Sequence, residues 1–171
     1  MSSLITYLTT IRFGAGALSE IGEDVAALGI TKPLVVSDKG VVATGLVDKL
    51  FAALPAGTPR IVFDAVPTNP TEEAALEALA LYREAGCDGV IGFGGGSPID
   101  LGKAVALLAT HEAPLSRYAL IDGGLSRITP AVAPVIAVPT TAGTGSEVGR
   151  AALITLADGR KVGLVSPHLI P

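Results

Sequence analysis

Gly94, Gly95, Gly96 and Ser97 close the apolar run GVIGFG and lead straight into PIDLGKAVALLAT, whose apolar residues recur at helical spacing. A strand that passes into a helix through so much bare backbone serves one of two ends. One is a tight packing turn. The other is a cradle in which N–H groups at the helix start, unpartnered within the helix, meet an anion such as a phosphate and are helped by the helix dipole. In the second reading the missing Cβ atoms let a pyrophosphate lie against the main chain, and the Ser97 hydroxyl donates one further bond. Pro98 suits the first helical position, where its missing N–H costs little. Asp100 stays open between a first-turn acid that favours the dipole and a contact to the ligand. The loop matches neither GxGxxG nor the GK[ST] ending of a P-loop.

A second cluster, AVPTTAGTGSEVG at 137–149, also follows an apolar strand and sets Thr140, Thr141, Thr144 and Ser146 among three glycines. Such a loop offers many hydrogen bonds with little bulk; the alternative is a solvated loop or N-cap. Two such loops after successive strands converge on one crevice, because ligands of open α/β sheets bind outside the carboxyl ends of the strands. Asp38, at the end of PLVVSD, either accepts bonds from a ribose diol and repels a 2′-phosphate, or caps the turn that follows. By residue type alone, Asn69 in PTNPT is a turn residue and Lys161 a solvated charge. The two histidines, His111 and His168, stand far apart without companion ligands, so neither is assigned to a metal.

The elements that must hold these residues follow from periodicity. Ile5–Phe13 reads as β-like, 17–30 as a helix, PLVVSD as a buried strand, and VATGLVDKLFAALP as a helix stopped by Pro55. RIVFDAV is a second strand, and Thr71 caps EEAALEALALYREAG, with Glu72 and Glu73 suited to the positive end of its dipole. GVIGFG, PIDLGKAVALLAT and PVIAVPT continue the alternation. A Rossmann-like, open and mostly parallel α/β sheet with helices on both faces is expected. AALITL and KVGLVS flank ADGR, whose Asp158-Gly159 pair predicts a C-terminal β-hairpin.

The 171 residues predict one domain spanning 1–171. Twelve basic against 16 acidic residues, with no basic run, argue against a nucleic-acid partner. A lone Cys87 allows no internal disulfide and points to the cytoplasm, and MSSLITYLTTIRF does not read as a signal peptide. No apolar run is long enough to imply a membrane span. Mean hydropathy of +0.57 is nevertheless high; strands buried on both faces account for part of it, and a face meant for another domain for the rest.

With both loops in view, the chain resembles the N-terminal, cofactor-binding part of the iron-containing (group III) alcohol dehydrogenases, which are more distantly related to glycerol dehydrogenases and dehydroquinate synthases. FGAGALSEIG, VVSDKG, PTNPT, GFGGGSPIDLGKAVA, PTTAGTGSEV and GRKVGLVSPHLIP stand in family order along essentially the whole chain. The resemblance implies that Gly95, Gly96, Ser97, Pro98 and Asp100 form the pyrophosphate loop. It implies likewise that Thr140, Thr141 and Thr144 approach the phosphate and nicotinamide end, that Asp38 selects NAD over NADP, and that Asn69 and Lys161 add nucleotide contacts. Gly149 stands where the family often has threonine.

The activity implied is NAD(P)-dependent hydride transfer between a small alcohol and its aldehyde or ketone. A divalent metal, iron by resemblance, is held in the family by one aspartate and three histidines of a helical domain absent from these residues. Little turnover is therefore expected from this chain alone, and self-association is expected through the face that such a domain would cover. Alternatives are a related enzyme, such as a glycerol dehydrogenase or maleylacetate reductase, and a non-catalytic nucleotide-binding module.

Overall fold

The computed structural model describes residues 3–6 and 9–171. The β-like opening is not one strand. It comprises β1 (Ser3–Thr6) and β2 (Thr10–Phe13), paired antiparallel; Tyr7 and Leu8 of the expected strand lie outside the described residues. The expected first helix is divided into a 3-10 turn (Ala17–Glu20) and α1 (Ile21–Ala27). Arg12 of β2 ties the hairpin to it through Glu20, Glu23 and Asp24.

Four strands form the expected parallel sheet: β3 (Pro33–Val36), β4 (Ile61–Phe63), β5 (Gly89–Gly94) and β6 (Val135–Pro139), in the order β4-β3-β5-β6. Successive residues of a strand face opposite sides, and two cores result. Val35, Ile91 and Phe93 pack with α1 and α3 (Leu46–Ala53), while Leu34, Val36 and Val90 pack with α4 (Glu72–Glu84) and α5 (Gly96–Thr110). The helix read over 42–55 is broken: α2 (Lys39–Ala43) ends at Thr44, and left-handed Gly45 (φ 74°) turns the chain into α3.

Pro98 through Leu108 of α5 are buried without interruption. This helix lies between the sheet on one side and the hairpin β7 (Ala151–Thr155)–β8 (Lys161–Val165) on the other. The hairpin that Asp158-Gly159 predicts is present, with Gly159 at φ 84°. A helix buried through most of its length and the fully buried strands β3 and β5 account for much of the high hydropathy. A broad apolar recess of about 1430 Å³ also opens between β2, α1, β6 and the segment 167–171. No helix among the described residues is long and apolar enough to cross a membrane.

Candidate functional site

β3 leads through α2 and α3 to β4 on one side, whereas β5 leads through α5 to β6 on the other, with the connecting helices on opposite faces. The strand order therefore reverses between β3 and β5, the position at which an open α/β sheet leaves a crevice. A cleft of about 680 Å³ opens there, lined by Asp38, Gly95, Gly96, Ser97, Pro98, Thr140 and Thr141, with the 64–68 turn as its outer wall.

Backbone geometry makes the floor. Gly94 has φ 153°, and a Cβ there would meet Pro98 Cγ at 2.6 Å, so no other residue closes this turn. α5 starts at Gly96, two residues earlier than expected, which puts Pro98 third in the helix rather than first. Its missing N–H is still harmless, since all of the first four lack helical partners. No side chain caps this end, and Gly95, Gly96 and Ser97 line the cleft. A Cβ on Gly95 would come within 3.4 Å of Thr141 Oγ1, and one on Gly96 within 3.3 Å of Ser146 Oγ and 3.4 Å of Thr144 Cβ. The two loops are thus separated by about the depth of a methyl group that neither glycine carries.

The walls are held by specific bonds. Thr140 N donates to Gly94 O at 2.8 Å, joining the start of the second loop to the glycine turn. Ser97 donates its hydroxyl to Thr68 O at 2.6 Å. Its hydrogen thus anchors the PTNPT turn and does not point into the cleft, as the sequence reading supposed. Thr144 donates to Glu147 Oε2 at 2.9 Å and accepts from Ser146 N. Asn69 and Lys161, far apart in sequence, meet where Lys161 Nζ donates to Asn69 Oδ1 at 3.1 Å. This pair lies beside the cleft and does not line it.

Asp38 realises the capping alternative: Oδ1 accepts from Val41 N at 2.9 Å. Its second oxygen faces Gly94, 3.5 Å from where a Cβ would stand, so the same carboxylate both caps α2 and borders the cleft.

Asp100 fits neither sequence reading. With α5 starting at Gly96 it is beyond the first turn, and its side chain is buried away from the cleft lining. Oδ2 accepts from Leu153 N at 3.0 Å, while Oδ1 is buried with no hydrogen-bond partner. Burial raises its pKa, against the opposing pull of the Leu153 bond, Ser146, Lys103 and Lys161.

Lys103 went unread in the sequence. It is fully buried, and its ammonium donates to Gly149 O at 2.6 Å and Ala151 O at 3.0 Å. Burial pushes its pKa down to about 8, with Asp100 and Glu147 opposing. The available signal was a cation inside LGKAVALL, where apolar residues surround every helical face. Gly149 also has a geometric reason: a Cβ there would lie 2.9 Å from Gly145 O, so the tight turn that presents its carbonyl to Lys103 excludes a larger residue without a shift.

Outside the cleft, His111 accepts from Thr129 N at Nε2 (3.0 Å) and contacts Leu107 O at Nδ1 (3.1 Å), which commits both ring nitrogens to local structure. No group of three or more potential metal ligands exists among the described residues. Burial raises Cys87 to about 11, so it carries no thiolate near neutrality.

Comparison with known proteins agrees with this architecture. The family model for iron-containing alcohol dehydrogenase matches residues 9–171. The chain is 53% identical over 169 residues to 4-hydroxybutyrate dehydrogenase of Cupriavidus necator, covering 99% of this chain and 44% of that protein. It superposes on the crystal structure of 1,3-propanediol oxidoreductase with a TM-score of 0.86 and 40% identity, over 92% of this chain and 41% of the other. Sulfoacetaldehyde reductase from Bifidobacterium kashiwanohense, solved in complex with NAD+, superposes with a TM-score of 0.83 and 31% identity, over 92% of this chain and 41% of that one. The chain spans less than half the length of these relatives. A parallel α/β sheet with its glycine cleft at the strand-order reversal, matched along nearly the whole chain, means that this protein belongs to the iron-containing alcohol dehydrogenase family.

Proposed function

We propose that the cleft binds NAD and that this chain supplies the cofactor-binding half of a metal-dependent dehydrogenase acting on a small alcohol. One observation carries the reading: the uncapped start of α5 opens, at Gly95, Gly96 and Ser97, into the cleft of about 680 Å³ that Thr140 and Thr141 also line. A cleft of that size admits a diphosphate, whose oxygens accept from main-chain N–H groups while the dipole offsets their charge. Gly95, Gly96 and Ser97 would hold it from the helix side, Thr140 and Thr141 from the loop side. Asp38 borders the position of the adenosine ribose; its second oxygen accepts from a diol and repels a 2′-phosphate, which favours NAD over NADP. Asn69 and Lys161 are held together beside the cleft and add contacts at its rim.

NAD supplies the hydride acceptor when bound, and the chain's own groups bind and orient it. The described residues do not make a metal site, so no step through a metal is assigned to them. Any substrate polarisation by a metal requires residues outside this stretch, and this stretch by itself is expected to show little turnover. The substrate class, a small molecule with a terminal alcohol, is supported by similarity to the 4-hydroxybutyrate and 1,3-propanediol enzymes.

Calorimetric titration of NAD and NADP into the chain tests the reading. Saturable binding of NAD, with NADP weaker by about tenfold or more, is expected from the charge of Asp38. No heat of binding at millimolar NAD would overturn it.

A further inference from the structure

The loop at 140–149 is pinned at its start by the bond from Thr140 N to Gly94 O. Most of its middle is exposed, and it holds itself through short-range bonds between Thr144, Gly145, Ser146, Glu147, Val148 and Gly149. The far end is held from beneath by α5. Lys103 donates to the carbonyls on either side of Arg150, those of Gly149 and Ala151, where the loop passes into β7. Asp100, three residues earlier and so on the same helix face, accepts from Leu153 N. A core position filled only for packing would carry an apolar side chain, because a buried ammonium is strongly unfavourable unless its donors are used.

We propose that Lys103 is a positioning residue for the cofactor loop: by gripping Gly149 O and Ala151 O it fixes the loop's root, so that Thr141 and Thr144 stand over Gly95 and Gly96, and thereby sets dinucleotide affinity. The link to affinity rests on reading the cleft as the NAD site. The same helix that offers its N-terminus to the anion thus also holds down the opposite wall.

Protonation provides a second handle. The carboxylates of Asp100 and Glu147 face Lys103, and Lys161 of β8 acts on Asp100. β5, β6 and β7 contain no titratable residue, while α4 directs Glu72 to Leu115 and Ala157 and Arg83 to Leu108. With the loop closed, burial lowers Lys103 to about 8 from its ordinary 10.5. With the loop open, water restores the ordinary value. The closed form therefore binds the proton less tightly, and rising pH favours closure across that window, where the neutral amine keeps two N–H donors for the two carbonyls.

Amide hydrogen exchange on 146–153, corrected for the intrinsic pH dependence of exchange, tests this in the wild-type chain and in Lys103→Met without nucleotide. Protection of this segment is expected to fall about tenfold in the variant while β3 and β5 keep theirs, and NAD affinity to fall by a similar factor. Wild-type protection is expected to rise between about pH 8 and 10.5, and the variant's profile to be flat. Protection within twofold of wild type in the variant, or a flat wild-type profile, would overturn the proposal. If the variant does not fold, the wild-type pH profile decides by itself. If the wild type binds no NAD, the cofactor reading falls, and the exchange data still decide whether Lys103 anchors the loop.

Discussion

Replacing Gly96 with alanine separates binding from folding at this site. Gly96 is the first residue of α5 and has no left-handed φ, so its backbone conformation is open to alanine. The new methyl would lie 3.3 Å from Ser146 Oγ, which rotation of that side chain relieves, and 3.4 Å from Thr144 Cβ, at the edge of ordinary contact. Alanine also restricts the unfolded chain, worth about 0.4–1 kcal/mol in favour of the fold. Stability should therefore change by less than about 1 kcal/mol in either direction. Binding should not escape. The methyl stands on a residue that lines the cleft and holds the diphosphate off the helix start, removing one charge-assisted hydrogen bond of about 1.5–3 kcal/mol. At about 1.4 kcal/mol per tenfold, NAD affinity should drop by a factor of about 10 to 150. Urea unfolding and calorimetry on the same preparation measure the two quantities. Affinity within threefold of wild type, with stability unchanged, would mean that the anion does not lie against Gly96.

Three further substitutions probe the surroundings. Asp38→Asn keeps an N-cap for α2, so stability should stay within about 0.5 kcal/mol, while loss of the charge should raise NADP affinity relative to NAD by about tenfold; an unchanged ratio would remove Asp38 from the ribose site. Glu72→Ala takes the acceptor from Leu115 N (2.6 Å) and Ala157 N (3.2 Å), and two stranded N–H groups at about 1–3 kcal/mol each predict a loss of about 2–6 kcal/mol, seen as a lower urea midpoint at constant slope. Burial raises Asp100 above the ordinary 3.8, so the folded chain holds that proton more tightly than the unfolded one. Its stabilising contribution is complete below about 3.8 and is lost as pH rises through the folded value. Asp100→Asn should flatten stability against pH over that interval, and an unaltered slope there would contradict the burial of this carboxylate.

Most of the architecture was legible in the sequence because it rests on local patterns. Continuous apolar strands, helices at 3.6-residue spacing and glycine- or proline-marked joints specify a parallel α/β sheet without reference to its contacts. The exceptions have local causes of their own. Gly45 splits one helical pattern because a left-handed residue turns the chain while the apolar spacing runs on. The opening strand is a hairpin because both halves of Ile5–Phe13 have similar β character and periodicity does not mark the reversal.

The site was legible as a set of residue types around bare backbone, not as a set of roles. GGGS after a strand and a threonine-rich loop after the next one mark a cleft with bare backbone at a helix start, since glycine spacing and helix ends are local facts. What each side chain does there was decided by partners far away in the chain. Ser97 is turned to Thr68, Asp100 to Leu153, and Lys161 to Asn69, across separations of 29, 53 and 92 residues. Lys103 is the clearest case: it became an anchor only when β7 packed on α5 and set two carbonyls against its ammonium. Local propensity and periodicity are written within a dozen residues of sequence, but a buried polar group takes its role from the partner that satisfies it, and that partner is supplied by packing alone.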